Sequence, residues 1–286
     1  MSLVRELQRS ENNSFIRCNI DTLYPLPNPK ASSFLDAQSR ASYILDAQYL
    51  FCAEDHANTR GYSCRTDHAE LIDATVIPCS ILLVEGFKAM VEVTGIDREA
   101  IFKALRISKY AQSQITVVGW DAYNNVSQQT EPVFLCRNHE DGTSSVSSEK
   151  HRAPLIREAL SDLRETCLKE EKAWEDSNIP EEMQEQMQGQ IVKIYSQARH
   201  VYKEALADEF PERTAAMVYT IERIEQQRQQ GIITGKIYLI GGALHLNEAS
   251  KDPRLSLKPL YDRLATLPAA IVSSKKTDYS CFFNDK

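Results

Sequence analysis

Five short apolar runs, separated by helical patterns, constrain the fold of this chain more than any other feature of its sequence. They are rich in β-branched and aromatic residues and occupy residues 48–53, 79–85, 115–121, 236–242 and 269–273. Runs of this length and composition are typical of strands buried on both faces. Helical patterns precede, separate or follow them at residues 32–46, 67–75, 98–106 and 257–264. The alternation predicts βαβ units, and therefore an α/β fold with a mostly parallel central sheet and helices on both faces.

The alternation stops between the third and fourth runs. Residues 138–149 have the composition of a polar loop, and a long region rich in Glu, Gln, Lys, Arg and Ala follows them. Pro180 and Pro211 each suit the opening of a new helix, the position at which a helix tolerates proline best. We therefore expect residues 1–286 to form a single α/β domain in which 138–235 is a mainly helical insertion or cap. It could serve as a lid or as a plain buttress.

Composition excludes several classes of partner. The formal net charge is −7, from 33 Lys+Arg against 40 Asp+Glu, whereas a nucleic-acid binder needs a basic surface. The longest apolar run, residues 81–84, is far shorter than the about 20 residues that span a bilayer. No secretory signal is recognised at the amino terminus, and the seven cysteines are odd in number and scattered, as reduced thiols are. We expect a cytoplasmic protein without nucleic-acid or membrane partners, although an unrecognised export signal stays open.

Polar side chains stand at the end of four of the five runs. Glu54 and His56 follow the first run, Glu85 ends the second, Asp121 ends the third, and His245 follows the fourth. In a parallel sheet these strand ends share one rim, and ligands bind in the crevice just outside it. Any one of these residues alone is more often a capping or loop residue. Their recurrence at four strand ends predicts a single polar site.

Two kinds of chemistry suit these residues. A histidine beside carboxylates can titrate near neutral pH and activate a water molecule. Crowded carboxylates raise one another's pKa, which creates a proton donor. Glu54, His56, Glu85 and His245 would equally form a ligand set for a divalent metal such as Zn or Mn. The residues alone do not separate acid–base hydrolysis from metal-assisted hydrolysis.

Four segments also carry a family resemblance. Residues 53–58 read Ala-Glu-Asp-His-Ala-Asn, residues 82–86 read Leu-Leu-Val-Glu-Gly, residues 242–245 read Gly-Ala-Leu-His, and Arg213 precedes Met217 on a helical pattern. In this order they resemble the Gly-Glu-x-His motif, the strand ending in Glu-Gly, the late Gly-x-x-His motif and the helical arginine of the erythromycin esterase, ChaN and TraB/Tiki-like superfamily. The likeness covers roughly residues 45–275, and Ala53 replaces the first glycine of Gly-Glu-x-His.

The resemblance implies an α/β fold with a polar central cleft, and relatives that include esterases and metal-dependent peptidases. Carried over residue by residue, Glu54 and His56 would be the catalytic or metal-binding pair, and Glu85 and His245 would complete the site. Arg213 would orient a carboxylate or stabilise developing negative charge. The haem- or iron-associated lipoproteins of the ChaN branch fit less well, because no lipoprotein signal is recognised.

The leading hypothesis is a hydrolase that uses this site to activate water on an ester or amide bond of a small-molecule or peptide substrate. Asn58, Arg60 and Asp121 are the candidate substrate-binding residues, and Arg60 would recognise an anionic group. One alternative is a binding module that holds a metal, haem or small ligand without turnover. Another is an effector-like interaction protein whose acidic helical segment contacts a protein partner.

Overall fold

The computed structural model describes eleven stretches of the chain, namely residues 20–25, 37–54, 61–122, 134–138, 144–150, 159, 162–163, 165–170, 172–173, 180–242 and 258–274. The strands are β1 (Ile20–Pro25), β2 (Tyr49–Glu54), β3 (Ser80–Lys88), β4 (Ile115–Asp121), β5 (Phe134–Asn138), β6 (Ser144–Lys150), β7 (Ile237–Gly242) and β8 (Ala269–Ser274). The helices are α1 (Ala37–Asp46), α2 (Gly61–Thr75), α3 (Gly95–Leu105), α4 (Lys109–Gln114), α5 (Glu181–Gln229) and α6 (Lys258–Ala265). Among these residues, no helix is long and apolar enough to cross a membrane.

The central sheet confirms the predicted fold class. All five apolar runs are strands, and the six-stranded sheet has the order β1-β8-β2-β7-β3-β4. Every neighbouring pair from β8 to β4 is parallel, whereas β1 pairs antiparallel with β8 at the edge. The chain thus builds a five-stranded parallel sheet with one antiparallel edge strand.

Helices cover both faces of this sheet, as the alternation predicts. Successive residues of a strand point to opposite faces, and in β2 Leu50 joins one apolar core whereas Phe51 joins the other. Residues of α1 to α4 complete the first core, and residues of α5 and α6 complete the second. Burial on both faces explains why the strands are apolar along their whole length.

The prediction of a polar loop at residues 138–149 is wrong at Asn138, in β5, and at residues 144–149, in β6, while residues 139–143 lie outside the described residues. Strands β5 and β6 pair antiparallel there, so the region between β4 and β7 contains a hairpin as well as helix. The sequence signal was present but weak. Asp141-Gly142 is a favoured hairpin turn sequence, but the serine-rich strand that follows it has a single strongly apolar residue, Val146. The wider interpretation of residues 138–235 as a cap stays a prediction.

The prediction that Pro211 opens a new helix is also wrong. Pro180 does precede a helix, but α5 runs without interruption from Glu181 to Gln229 and contains Pro211. A proline inside a helix removes one backbone hydrogen bond. Burial of Phe210, together with packing of Met217 and Ile221 against the sheet, stabilises this part of α5. Such tertiary packing overrides the local preference.

Lys236 ties the sheet to α1 at the end of the sheet opposite to the predicted site. Its Nζ donates hydrogen bonds to the carbonyl oxygens of Leu45 at 2.8 Å and Ala47 at 2.5 Å, near the carboxyl end of α1. The side chain is buried, and this burial lowers the pKa of Lys236 to about 8. The folded protein therefore holds this proton less tightly than the unfolded chain does.

The depressed pKa of Lys236 gives a pH-dependent stability. Between its folded value near 8 and its ordinary value of 10.5, the unfolded chain binds more protons, so the free energy of unfolding rises with pH. In urea unfolding at pH 8 and pH 9.5, we expect wild type to gain about 1 kcal/mol over Lys236→Met. Lys103→Met, at an exposed position, keeps Lys236 and should gain stability with pH as wild type does. An equal pH response in both variants would contradict the assignment.

Candidate functional site

The carboxyl ends of four parallel strands form the rim on which the site lies. Strand β7 lies between β2 and β3, and β4 follows β3. Helices α2 and α3, which follow β2 and β3, pack on one face of the sheet through Leu71 and Phe102. Helix α6, which follows β7, packs on the other face through Leu260. The chain therefore leaves neighbouring strands in opposite directions around β7. This topology opens a crevice at the rim, the usual ligand position in parallel α/β sheets.

A buried ion pair between α5 and β4 lies at this rim. The Arg213 guanidinium donates from Nε to Oδ1 of Asp121 at 3.0 Å and from Nη2 to Oδ2 at 2.8 Å. Asp121 has no exposed surface, and it also accepts backbone N–H bonds from Gly86 at 3.0 Å and Ala122 at 2.7 Å. Each oxygen of Asp121 thus accepts two hydrogen bonds, which compensates for burial of its charge.

Glu85 is the second carboxylate beside Arg213. Its Oε2 lies 3.5 Å from Nη2 of Arg213, and its Oε1 accepts a 2.8 Å hydrogen bond from the backbone N–H of Gly242. The Glu85 side chain is 15% exposed, against 0% for Asp121. Glu85 is therefore the carboxylate of this cluster with surface left for a bound molecule.

An irregularity in β3 aims Glu85 into the cluster. Register with β4 shifts between Val84 and Lys88, so β3 has extra residues there, as in a β-bulge. Gly86 takes a φ of +80° within this irregularity, a conformation that glycine adopts without steric penalty. Such bulges commonly redirect a side chain next to an active site.

Gly241 lets β7 pass close to this cluster. A Cβ atom at this position would lie 2.8 Å from Oε1 of Glu85 and 2.9 Å from Cζ2 of Trp120. The Trp120 ring is buried, and within the described part of the chain its Nε1 has no hydrogen-bond partner. Nε1 and Cζ2 lie on the same edge of the indole, so the Nε1 donor is on the edge of Trp120 that faces Gly241. The Gly242 N–H and the Trp120 indole are contributors that the residue-type search missed.

The structure brings together three of the predicted site residues, namely Glu85, Asp121 and Arg213. It also places the backbone of Glu54 next to that of Gly242, its register partner across β2 and β7. The side chain of Glu54 and the whole of His56, Asn58, Arg60 and His245 lie outside the described residues.

Of the four predicted metal ligands, Glu85 is the one whose side chain the structure describes. No group of three or more His, Cys, Asp or Glu among these residues is arranged to hold one. One oxygen of Glu85 accepts the N–H of Gly242, and the other lies 3.5 Å from the guanidinium of Arg213. The positive charge of this guanidinium would repel a metal ion. The remaining predicted ligands lie outside the described residues.

Comparisons of the chain with protein-family models, with curated proteins and with solved structures gave no match. Functional inference therefore depends on the chemistry of the strand-end residues and on the motif resemblance.

Removal of one member of the buried ion pair should destabilise the fold strongly. We expect Asp121→Ala to lower the free energy of unfolding by about 3–5 kcal/mol, because it leaves the Arg213 charge buried with one fewer carboxylate. Asp121→Ala/Arg213→Met should regain part of this loss, since both charges are then absent. Urea unfolding measures both, with the exposed Glu99→Ala as a control that changes stability by under about 0.5 kcal/mol. A double variant as unstable as the sum of its parts would contradict the pairing.

Alanine at Gly241 should act in the opposite direction to alanine at Gly189. Gly241→Ala forces a methyl group against Trp120 and Glu85, and overpacking of this kind costs about 1–3 kcal/mol. Gly189 lies within α5 and has nothing within 4 Å of its Cβ position, so Gly189→Ala should stabilise the helix by roughly 0.5–1 kcal/mol. Thermal unfolding of both variants measures the two changes in stability, which should have opposite signs. A neutral Gly241→Ala would show that β7 has room to move at this point.

Proposed function

We propose that this protein is a hydrolase that activates water for attack on an ester or amide bond at the site of Glu54, His56, Glu85 and His245. The observation that carries the proposal is the Arg213 guanidinium, held by Asp121 and lying beside Glu85 at the carboxyl rim. A fixed cation beside a partly exposed carboxylate is an arrangement that binds and polarises a substrate. The motif resemblance to the esterase and peptidase superfamily supports the same reaction class.

Asp121 has a positioning role in this proposal. Its oxygens are saturated by four hydrogen bonds and it has no exposed surface, so it orients Arg213 and does not touch the substrate. This changes the substrate-binding role expected from sequence. Arg213 then presents its charge from a fixed direction, which is the condition under which it stabilises negative charge in a transition state.

Chain length limits how far the two histidines can lie from the described ends of β2 and β7. His56 follows Glu54 by two residues, and Glu54 pairs with Gly242, whose N–H holds Glu85. Covalent geometry limits the distance between the Cα atoms of His56 and Glu54 to about 8 Å. His245 follows Gly242 by three residues, a limit of about 11 Å. Both imidazoles therefore have the reach to contact the substrate that Glu85 contacts.

Each residue has a distinct role in the proposed reaction. His56 accepts a proton from the attacking water and Glu54 orients His56, while Glu85 and His245 complete the polar surround. Arg213 stabilises the oxyanion. Asn58 and Arg60 bind the small-molecule or peptide substrate, and Arg60 recognises an anionic group on it. If a divalent metal such as Zn or Mn activates the water, Glu54, His56, Glu85 and His245 would be its ligands.

We also place this activity in the cytoplasm. The odd number and scattered positions of the seven cysteines support this location.

A substrate screen of purified protein tests the proposed reaction. Generic ester and peptide substrates are the probes, and His56→Ala should lower kcat/KM at least about 100-fold, because it removes the general base. Glu85→Gln, which keeps the shape but loses the charge beside Arg213, should lower it roughly tenfold or more. Glu70→Gln, at an exposed position of α2, is the matched control and should leave turnover unchanged.

Two outcomes of this screen oppose the proposal. Turnover that survives His56→Ala removes the catalytic assignment. Stoichiometric Zn or Mn in elemental analysis, without turnover of any substrate, favours a metal-binding module instead.

A further inference from the structure

The first half of α5 is an exposed helical arm, defined here as residues 181–204. No side chain described within the arm is buried, whereas burial against the body begins at Ala205 and includes Phe210 and Arg213. At 1.5 Å per residue the arm is about 36 Å long. A half-buried row runs along one of its faces at residues 184, 187, 191, 195 and 198.

A second row beside it, the palindromic stripe, has a charge pattern that reverses about its centre. Val192 stands at the centre and is 67% exposed. Glu185 and Glu181 lie seven and eleven residues before it, and Arg199 and Lys203 lie seven and eleven residues after it. Seven and eleven residues are close to two and three whole helical turns, so all five positions share one face of the helix within about 20°.

We propose that the palindromic stripe is a homodimer interface, in which the arm of a second copy of this chain lies antiparallel across it. A two-fold axis at Val192 then places Glu185 opposite Arg199 of the second copy and Glu181 opposite Lys203 of the second copy. The two Val192 side chains meet at the axis. Such a contact is isologous, since each copy uses the same patch, and charge pairs flanking an apolar seam fix helix orientation in the same way in coiled coils.

Charge selects both the partner and its direction. Glu185 and Arg199 are fourteen residues apart, about 21 Å along one helix, so they cannot pair within the same arm. A parallel second copy would place glutamates on glutamates and basic residues on basic residues. Only the antiparallel arrangement pairs opposite charges at all four places.

The isolated arm has like charges as close neighbours. Glu181 and Glu185, and likewise Arg199 and Lys203, are pairs at i and i+4, which destabilise a lone helix by a few tenths of a kcal/mol each. Opposite charges from a second copy remove this repulsion. The helix dipole favours Glu181 in the first turn of α5, so the repulsion that a dimer would relieve is largest at Arg199 and Lys203.

Charge-reversed variants test the proposal. Glu181→Lys/Glu185→Lys makes the stripe basic throughout, and Arg199→Glu/Lys203→Glu makes it acidic throughout. In sedimentation velocity of the full chain at low salt, wild type should have twice the chain mass, each variant alone the mass of one chain, and their equimolar mixture the dimer mass again. Added salt should weaken the wild-type dimer.

Three results would overturn the proposal. The first is a wild type that stays monomeric at the highest concentration, which would leave the stripe to a different partner. The second is a charge-reversed variant that dimerises as wild type does. The third is an equimolar mixture of the two variants that fails to associate. Circular dichroism confirms that each variant keeps its helix content.

A cysteine cross-link locates the axis independently. Val192→Cys should form a disulfide-linked dimer on mild oxidation, because the axis brings the two copies of this residue together. Ile194→Cys is the matched control, since Ile194 is also exposed, at 52%, but two residues place it about 200° around the helix. Wild type gives the background from the native cysteines. Equal cross-linking of both variants would place the contact elsewhere.

Discussion

The bidentate contact between Arg213 and Asp121 is the interaction on which the candidate site depends. It joins residues 92 positions apart, one on a helix and one at a strand end, and it is buried on both sides. A buried ion pair gains little net stability, since desolvation opposes the attraction between the charges. Its effect is geometric. Because the two hydrogen bonds are parallel, they fix both the position and the plane of the guanidinium, and with them its distance to Glu85.

Backbone N–H groups complete this arrangement across strands. Glu85 of β3 accepts from Gly242 of β7, and Asp121 of β4 accepts from Gly86 of β3. Each carboxylate therefore holds the neighbouring strand at the rim, where the regular sheet ladder ends. Two of the donors are glycines, and the absence of a side chain at Gly241 lets β7 approach Glu85 and Trp120 closely. The glycines are part of the site because of the backbone that they expose.

The sequence predicts the sheet well because both faces of each strand are buried, so the strands are apolar along their whole length. It also predicts Asp121 at the end of β4, whereas Glu85 lies at the irregularity within β3, which continues to Lys88 and does not end at Glu85. It does not predict that Asp121 is saturated by Arg213, because that contact depends on the rotation of α5 relative to β4, 92 residues away. The motif resemblance alone indicated Arg213. Local rules failed at β6, which has little apolar character, and at Pro211, where burial of Phe210 and Met217 outweighs the lost hydrogen bond.

The two halves of α5 are stabilised in different ways. From Ala205 onward the helix has buried apolar residues, and from Met217 onward they pack against the sheet. The arm lacks that burial, and isolated helices are marginal in water. The half-buried row of the arm and its continuity with the second half of α5 provide part of the stabilisation that the helix requires. The like-charge pairs act against it. In the proposed dimer, an antiparallel second copy places opposite charges beside these pairs, which offsets their repulsion with residues of the same stripe.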